Sequence, residues 1–508
     1  MHITCLTQSL KGKYKYNLNL ERGITMTESI NNVKKDLYIN GEWVQTTDYK
    51  DVINPATNEV IAQIAQATEQ NVEDAIQAAH KAFKPWKALE LKERTAYLHK
   101  IADLLEENAD RLAEIMTIEQ GKPLKEARLE VLSGAESFRW NAEEARRLYG
   151  ETIPAPNDHK YEIAYEPIGV VGAITPWNFP SGMITRKISP ALAAGNTVVL
   201  KPSGDTPLSA LAIFELFDQA GLPNGVANIV MGSSKEIGEV FTTSKLVKKI
   251  TFTGSTPIGK ALYAQSADTL KKMSLELGGH APFIVHEDAD VTAAVEGLMA
   301  AKFRNNGQVC IAPNRIFVHE SIKADFLAQL TEKVEALKVG NGLEEDTNVG
   351  PLIREDAIEK IKKQIVNATD KGATLVTGGH RLTGESHDKG FFFQPTILDH
   401  VNNTMDIFYE ETFGPVVPII SFSTLEEAIE MANDSEYGLA SYAFAKDSKA
   451  VQTLATSLEY GMVGINAVAI SNPETPFGGV KNSGFGRENS HLGIKEYVTA
   501  KYINTKFL

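Results

Sequence analysis

From about residue 165 onward, short β-branched runs alternate with apolar helical segments, and few folds accommodate that order. A strand that returns to its sheet in parallel needs a crossover, so the alternation predicts a parallel sheet with crossover helices, an α/β fold. The expected strands are 169–174, 197–200, 226–230, 249–252 and 274–277. Between them, the apolar segment 208–220 is closed by Gly221-Leu222-Pro223, a glycine then proline stop. A second α/β series follows. Asp290 is expected to cap a helix whose Val291, Ala294, Val295 and Leu298 share one face, and which runs out at Asn305-Asn306-Gly307. Residues before 140 read as helix-rich and charged, and 497–503 as a strand.

A length of 508 residues gives room for two to four domains of about 100–200 residues each. The 65 acidic against 51 basic residues leave a net charge of −14, which repels nucleic acid and anionic lipid in the absence of a basic patch. Neither partner is expected. No apolar run approaches the roughly 18 residues of a membrane span. The two cysteines, Cys5 and Cys310, cannot supply a disulfide framework, so a cytoplasmic location is expected. Residues 1–25 lack a secretory signal, and their scarce Arg argues against a mitochondrial presequence. They read as disordered, or as lying upstream of a start at Met26. The eleven histidines show no H-E-x-x-H spacing, so no metal is expected.

Gly254-Ser255-Thr256-Pro257-Ile258-Gly259-Lys260-Ala261 nearly spells a P-loop, but Ala261 stands where a Mg²⁺-binding hydroxyl is required. What remains is a helix N-terminus suited to a dinucleotide pyrophosphate. A lone cysteine is ordinarily a small buried hydrophobe. Cys310, however, follows a helix end and the flexible-looking Asn306-Gly307-Gln308, a setting where backbone N–H groups can stabilise a thiolate. Glu276, within Leu275-Glu276-Leu277-Gly278-Gly279, is flanked by apolar residues whose burial would raise its pKa and make it a general base; an ion-paired structural carboxylate is the equal alternative. Asn178 lies between Pro176 and Pro180, and its amide could serve a developing oxyanion or simply form a turn.

Together these stretches resemble the aldehyde dehydrogenase superfamily. The resemblance runs from Asp36 to the C-terminus through Pro176-Trp177-Asn178-Phe179-Pro180, Lys201-Pro202, Phe252-Thr253-Gly254-Ser255, Leu275 to Gly279, Gly307-Gln308-Val309-Cys310, Glu410-Glu411-Thr412-Phe413-Gly414-Pro415 and Pro476-Phe477-Gly478-Gly479. It implies a Rossmann-like cofactor domain at 31–148 and 166–279, an α/β catalytic domain at 280–465, and a β-strand oligomerisation element at 149–165 and 484–508. Residues 1–30 would be a disordered extension, and the assembly a homodimer or homotetramer.

On the family's pattern, Cys310 attacks the aldehyde, Asn178 holds the oxyanion, Glu276 activates the hydrolytic water and Glu488 assists proton relay. The resemblance assigns cofactor binding to Thr175, Pro176, Trp177, Lys201, Ser203, Gly204, Gly254, Ser255, Leu277, Glu411 and Phe413. Met183 to Lys187, Lys302 to Asn305 and Ile470-Ser471-Asn472 are most similar to the succinate-semialdehyde dehydrogenase group, in which Arg186, Arg304 and Ser471 would hold a distal carboxylate. That group often carries a second Cys two residues after the nucleophile; here it is Ala312, so that redox switch is missing. Glutarate semialdehyde, neutral aldehydes such as betaine aldehyde, and a non-catalytic nucleotide-binding role are the alternatives. NAD-preferring members place a Glu at the position of Gly204, so NADP is expected to be preferred with NAD usable, and Asp205 is the complication.

Overall fold

Five parallel strands lie side by side at the centre of an eight-stranded sheet, in the order Ala227–Ile229, Thr197–Lys201, Val170–Ile174, Val247–Thr253, Lys272–Glu276. The structure, a computed structural model, describes residues 26–384 and 386–508. Val170–Ile174 and Thr197–Lys201 are buried at every position, which is why they read as continuous apolar runs rather than as an alternation. A second sheet has seven strands, with Val416–Phe422, Pro313–His319, Ala281–Val285 and Ala440–Phe444 as parallel neighbours at its centre. The helix Val291–Lys302 begins where expected, Asp290 accepting the Ala293 N–H at 3.1 Å.

Helix Pro207–Ala220 has a proline at its start and Gly221 in the left-handed region at its end. Its own cap, Thr206, makes no capping bond. Buried Glu119, from the helix Ala109–Gln120, accepts the Leu208 and Ser209 N–H groups at 2.7 and 2.8 Å instead. Those two bonds fix the start of the helix, just after the turn that holds Gly204.

The structure differs from expectation in three places. The helix-rich N-terminal segment also contains two hairpins, Leu37–Ile39 with Glu42–Val44 and Tyr49–Asn54 with Glu59–Ala65. The first turns on Asn40-Gly41, both at positive φ, and its three-residue strands are too short for periodicity to register. Residues 26–30, expected to be disordered, belong to the helix Met26–Asn31, because Ile30 is buried in the core and Ser29 donates to Glu114 at 2.6 Å. The expectations for residues 1–25, Cys5 included, lie outside the described residues. Finally, 484–508 divides. Gly484–Phe485 pairs with Leu275 and Glu276 in the first sheet, and only Val498–Lys506 joins a three-stranded sheet, along the whole of His159–Pro167 and with Glu151–Ile153 beyond.

Candidate active site

Open α/β sheets bind ligands beyond the carboxyl ends of their strands. Thr175, Pro176 and Trp177 follow Val170–Ile174, Lys201 ends its strand, and Gly254 follows Val247–Thr253. The Trp177 and Phe413 rings meet edge to face at 5.6 Å. Lys201 is buried, donates to Ser234 Oγ at 2.6 Å, and is pushed down to about 8 by burial. Ser203 Oγ accepts the Asp205 N–H at 3.3 Å, and Asp205 is paired with Arg354 at 2.6 Å.

The Gly254 N–H donates to the Glu276 carbonyl at 3.0 Å, leading into helix Thr256–Gln265. Ser255, at its cap, makes no side-chain capping bond, so the first-turn N–H groups are not claimed by it. A Cβ at Gly259 would lie 2.3 Å from Leu277, so glycine permits the close helix approach. Glu411 accepts the Gly279 N–H at 3.0 Å and is pushed up to about 7 by burial. An uncapped helix N-terminus, two aromatic rings and the buried, unpartnered Thr175 hydroxyl fit a dinucleotide.

Cys310 opens onto a cavity of about 520 Å³ that Arg186, Arg304, Ser471, Phe179 and Phe477 also line. Arg186 donates to Ser471 Oγ at 2.7 Å, while its other terminal nitrogen, Nη1, is buried without a partner. The guanidiniums of Arg186 and Arg304 lie over Phe477 and Phe179, at 4.8 and 4.9 Å. Asn178 is buried and donates to the Gln308 carbonyl at 2.9 Å.

The loop before Cys310 is held rather than loose. Asn305, Asn306 and Gly307 all have positive φ, and a Cβ at Gly307 would lie 2.3 Å from the Gly414 carbonyl oxygen. Asn305 Nδ2 donates to the Asn178 carbonyl at 2.9 Å, Gln308 Oε1 accepts the Ile353 N–H at 2.9 Å, and the Tyr442 hydroxyl donates to the Ile311 carbonyl at 2.9 Å. The segment read as flexible is therefore corrected to a tied, left-handed turn.

The aldehyde dehydrogenase family model matches residues 43–503. The chain belongs to the aldehyde dehydrogenase family. It is 48% identical to 3-sulfolactaldehyde dehydrogenase of Pseudomonas putida, over 93% of this chain and 97% of that one. It is 50% identical to the mitochondrial succinate-semialdehyde dehydrogenase of Oryza sativa subsp. japonica, over 92% and 88%. The solved structure of an E. coli NADP dependent enzyme superposes with a TM-score of 0.92 at 46% identity, covering 94% of this chain and 99% of the other.

In this aldehyde dehydrogenase Cys310, Glu276 and Glu488 share one electrostatic environment. Burial pushes the Glu276 carboxyl well above its ordinary range, Glu488 adds to the shift, and neither Glu276 oxygen has a partner. Burial likewise pushes the Cys310 thiol up to about 12; Glu411, Glu276 and Glu488 oppose its ionisation and Arg186 favours it. Burial and these carboxylates therefore oppose, in the ligand-free enzyme, the thiolate-stabilising effect expected of the nearby backbone donors.

Two buried lysines escaped the sequence reading. Lys187 Nζ bonds Glu488 Oε1 at 2.5 Å and lies 3.4 Å from Thr251 Oγ1. Lys122 Nζ bonds Glu130 at 2.5 Å and the Asn178 carbonyl at 2.8 Å, while Glu130 accepts the Ser181 and Gly182 N–H groups at 2.9 Å. Lys187 had a signal. It falls at helical spacing with Ile184 and Ala191 on the buried face of Gly182–Ala193. Among the described residues no helix is long and apolar enough to cross a membrane.

Proposed function

We propose that this enzyme oxidises succinate semialdehyde, or a close aldehyde carrying a distal anion, to the acid with NADP preferred over NAD. The observation that carries the substrate reading is Arg186, whose Nη1 is buried and unpartnered in the same cavity as Arg304, Ser471 and Cys310. A buried guanidinium lacking an anion is costly, and a substrate carboxylate would compensate it. The similarity to a succinate-semialdehyde dehydrogenase points the same way. Because a sulfonate also satisfies two guanidiniums, the similarity to 3-sulfolactaldehyde dehydrogenase makes a sulfonated aldehyde the second reading.

In the proposed mechanism Cys310, which lines the cavity, gives up its proton to water there, and its sulfur adds to the aldehyde carbon. Asn178 Nδ2 and the Cys310 backbone N–H hold the resulting oxyanion. A bound dinucleotide supplies the acceptor for the hydride leaving that carbon. The thioester on Cys310 is hydrolysed by water whose proton goes to Glu276, with Glu488 and Lys187 behind it as the route onward. Thr175, Pro176, Trp177, Gly254, Ser255, Leu277, Glu411 and Phe413 would hold the dinucleotide, and Lys201 and Ser203 its adenosine side.

The cofactor domain is proposed at 31–148 and 166–279 and the catalytic domain at 280–465. The three-stranded sheet, with Tyr502 and Ile503 exposed on its long edge strand, would join protomers into a dimer or tetramer. The test is a panel of succinate semialdehyde, glutarate semialdehyde, a sulfonated aldehyde and butanal, each with both cofactors. The reading requires kcat/KM for succinate semialdehyde to exceed that for butanal by about a hundredfold or more. The longer dicarboxylic aldehyde differs by one methylene, worth only about 1–3 kcal/mol, so it should keep some activity. A preference for butanal would overturn the substrate assignment.

A further inference from the structure

We infer that Lys50, on the strand Tyr49–Asn54, determines cofactor specificity by joining Lys201 and Ser203 around the 2′-phosphate of NADP. This rests on the NADP reading and goes beyond it, since no motif marks Lys50 and it lies far from Gly204 in sequence.

A Cβ built on Gly204 would meet one group within 4 Å, the Lys50 ammonium at 3.6 Å. Gly204 itself presents no side chain, and a cation comes up to it from another strand. Lys50 is also close enough to Lys201 to lower that residue's affinity for its proton. Two cations thus face one site. Asp205 acts on Lys201 in the opposite sense and more strongly than Lys50 does, but its carboxylate is itself paired with Arg354 at 2.6 Å, and its N–H is bonded to Ser203.

The placement of Lys50 is built into the fold. Its strand pairs with Glu59–Ala65, Lys50 opposite Ile64, and Val52 two residues on is buried in the core. Lys50 itself is exposed, and among the described residues it enters no ion pair. Like charges held together without an anion repel, and a doubly charged phosphate between them turns that repulsion into two charge-assisted bonds. A 2′-hydroxyl offers no such compensation. Lys50 therefore acts on the difference between NADP and NAD rather than on dinucleotide binding in general.

The experiment is calorimetric titration of the full-length protein with 2′,5′-ADP, which carries the 2′-phosphate, and with 5′-AMP, which lacks it. The wild type should bind 2′,5′-ADP at least about tenfold more tightly than 5′-AMP. Lys50→Met should weaken 2′,5′-ADP about tenfold and move 5′-AMP less than about twofold, and Lys50→Arg should restore most of the loss. A wild type without preference for 2′,5′-ADP overturns the NADP reading and this inference with it. A preference that survives in Lys50→Met overturns the role of Lys50 alone, as does equal weakening of both ligands.

Discussion

Lys187 Nζ lies 2.5 Å from Glu488 Oε1, and both side chains are buried. The pair joins helix Gly182–Ala193, which carries Arg186, to the segment behind Glu276. Its two charges act oppositely on Glu276, Glu488 raising its proton affinity and Lys187 lowering it. Buried ion pairs add little net stability when intact, yet removing one partner leaves a desolvated charge. Lys187→Met should therefore cost about 3–5 kcal/mol in urea unfolding, much of it recovered in Lys187→Met/Glu488→Leu. A loss below about 1 kcal/mol would show that the pair is not held together in solution.

The raised Cys310 thiol sets the pH dependence of its reactivity. With the thiol near 12 in the ligand-free enzyme, the thiolate is a small fraction at pH 7 and grows about tenfold per pH unit. The rate of inactivation by iodoacetamide should climb from pH 7 to 10 without a plateau. Arg186→Ala removes the group that favours ionisation and should slow it further. A plateau near pH 8 would indicate a thiolate stabilised in a way the structure does not contain.

Glu276→Gln should let the first hydride transfer proceed and stall hydrolysis of the thioester. The signature is a burst of reduced dinucleotide stoichiometric with enzyme, followed by a slow steady state. Loss of both phases would place Glu276 in activation of the thiol as its essential role.

Gly204→Glu should shift preference toward NAD, because the new carboxylate repels a 2′-phosphate and its Cβ begins 3.6 Å from the Lys50 ammonium. The ratio of specificity constants for the two cofactors measures it. An unchanged ratio would mean that the adenosine ribose binds elsewhere.

The central strands and the Asp290 cap were legible because their causes are local: Thr197–Lys201 is apolar where it is fully buried, and Asp290 reaches only to Ala293. Cys310, Glu276 and Asn178 were legible as motifs, but the environment of Cys310 was not. The carboxylates at 276, 411 and 488 that oppose its ionisation arrive from three separate segments. The same holds for Glu119, which caps a helix far along the chain, and for Lys50, which reaches Gly204 only because its hairpin packs on the helix Ala109–Gln120. Such pairs exist only after tertiary folding, and no periodicity announces them.

The central claim, a guanidinium clamp on a distal anion beside Cys310, is tested most directly by kcat/KM for succinate semialdehyde and for butanal in wild type and Arg186→Ala. Arg186 holds Ser471 at 2.7 Å and keeps Nη1 free of protein partners, so removing it should cost the anionic substrate about 2–4 kcal/mol of transition-state stabilisation. Butanal should change by no more than about threefold. Equal loss for both substrates would contradict the clamp.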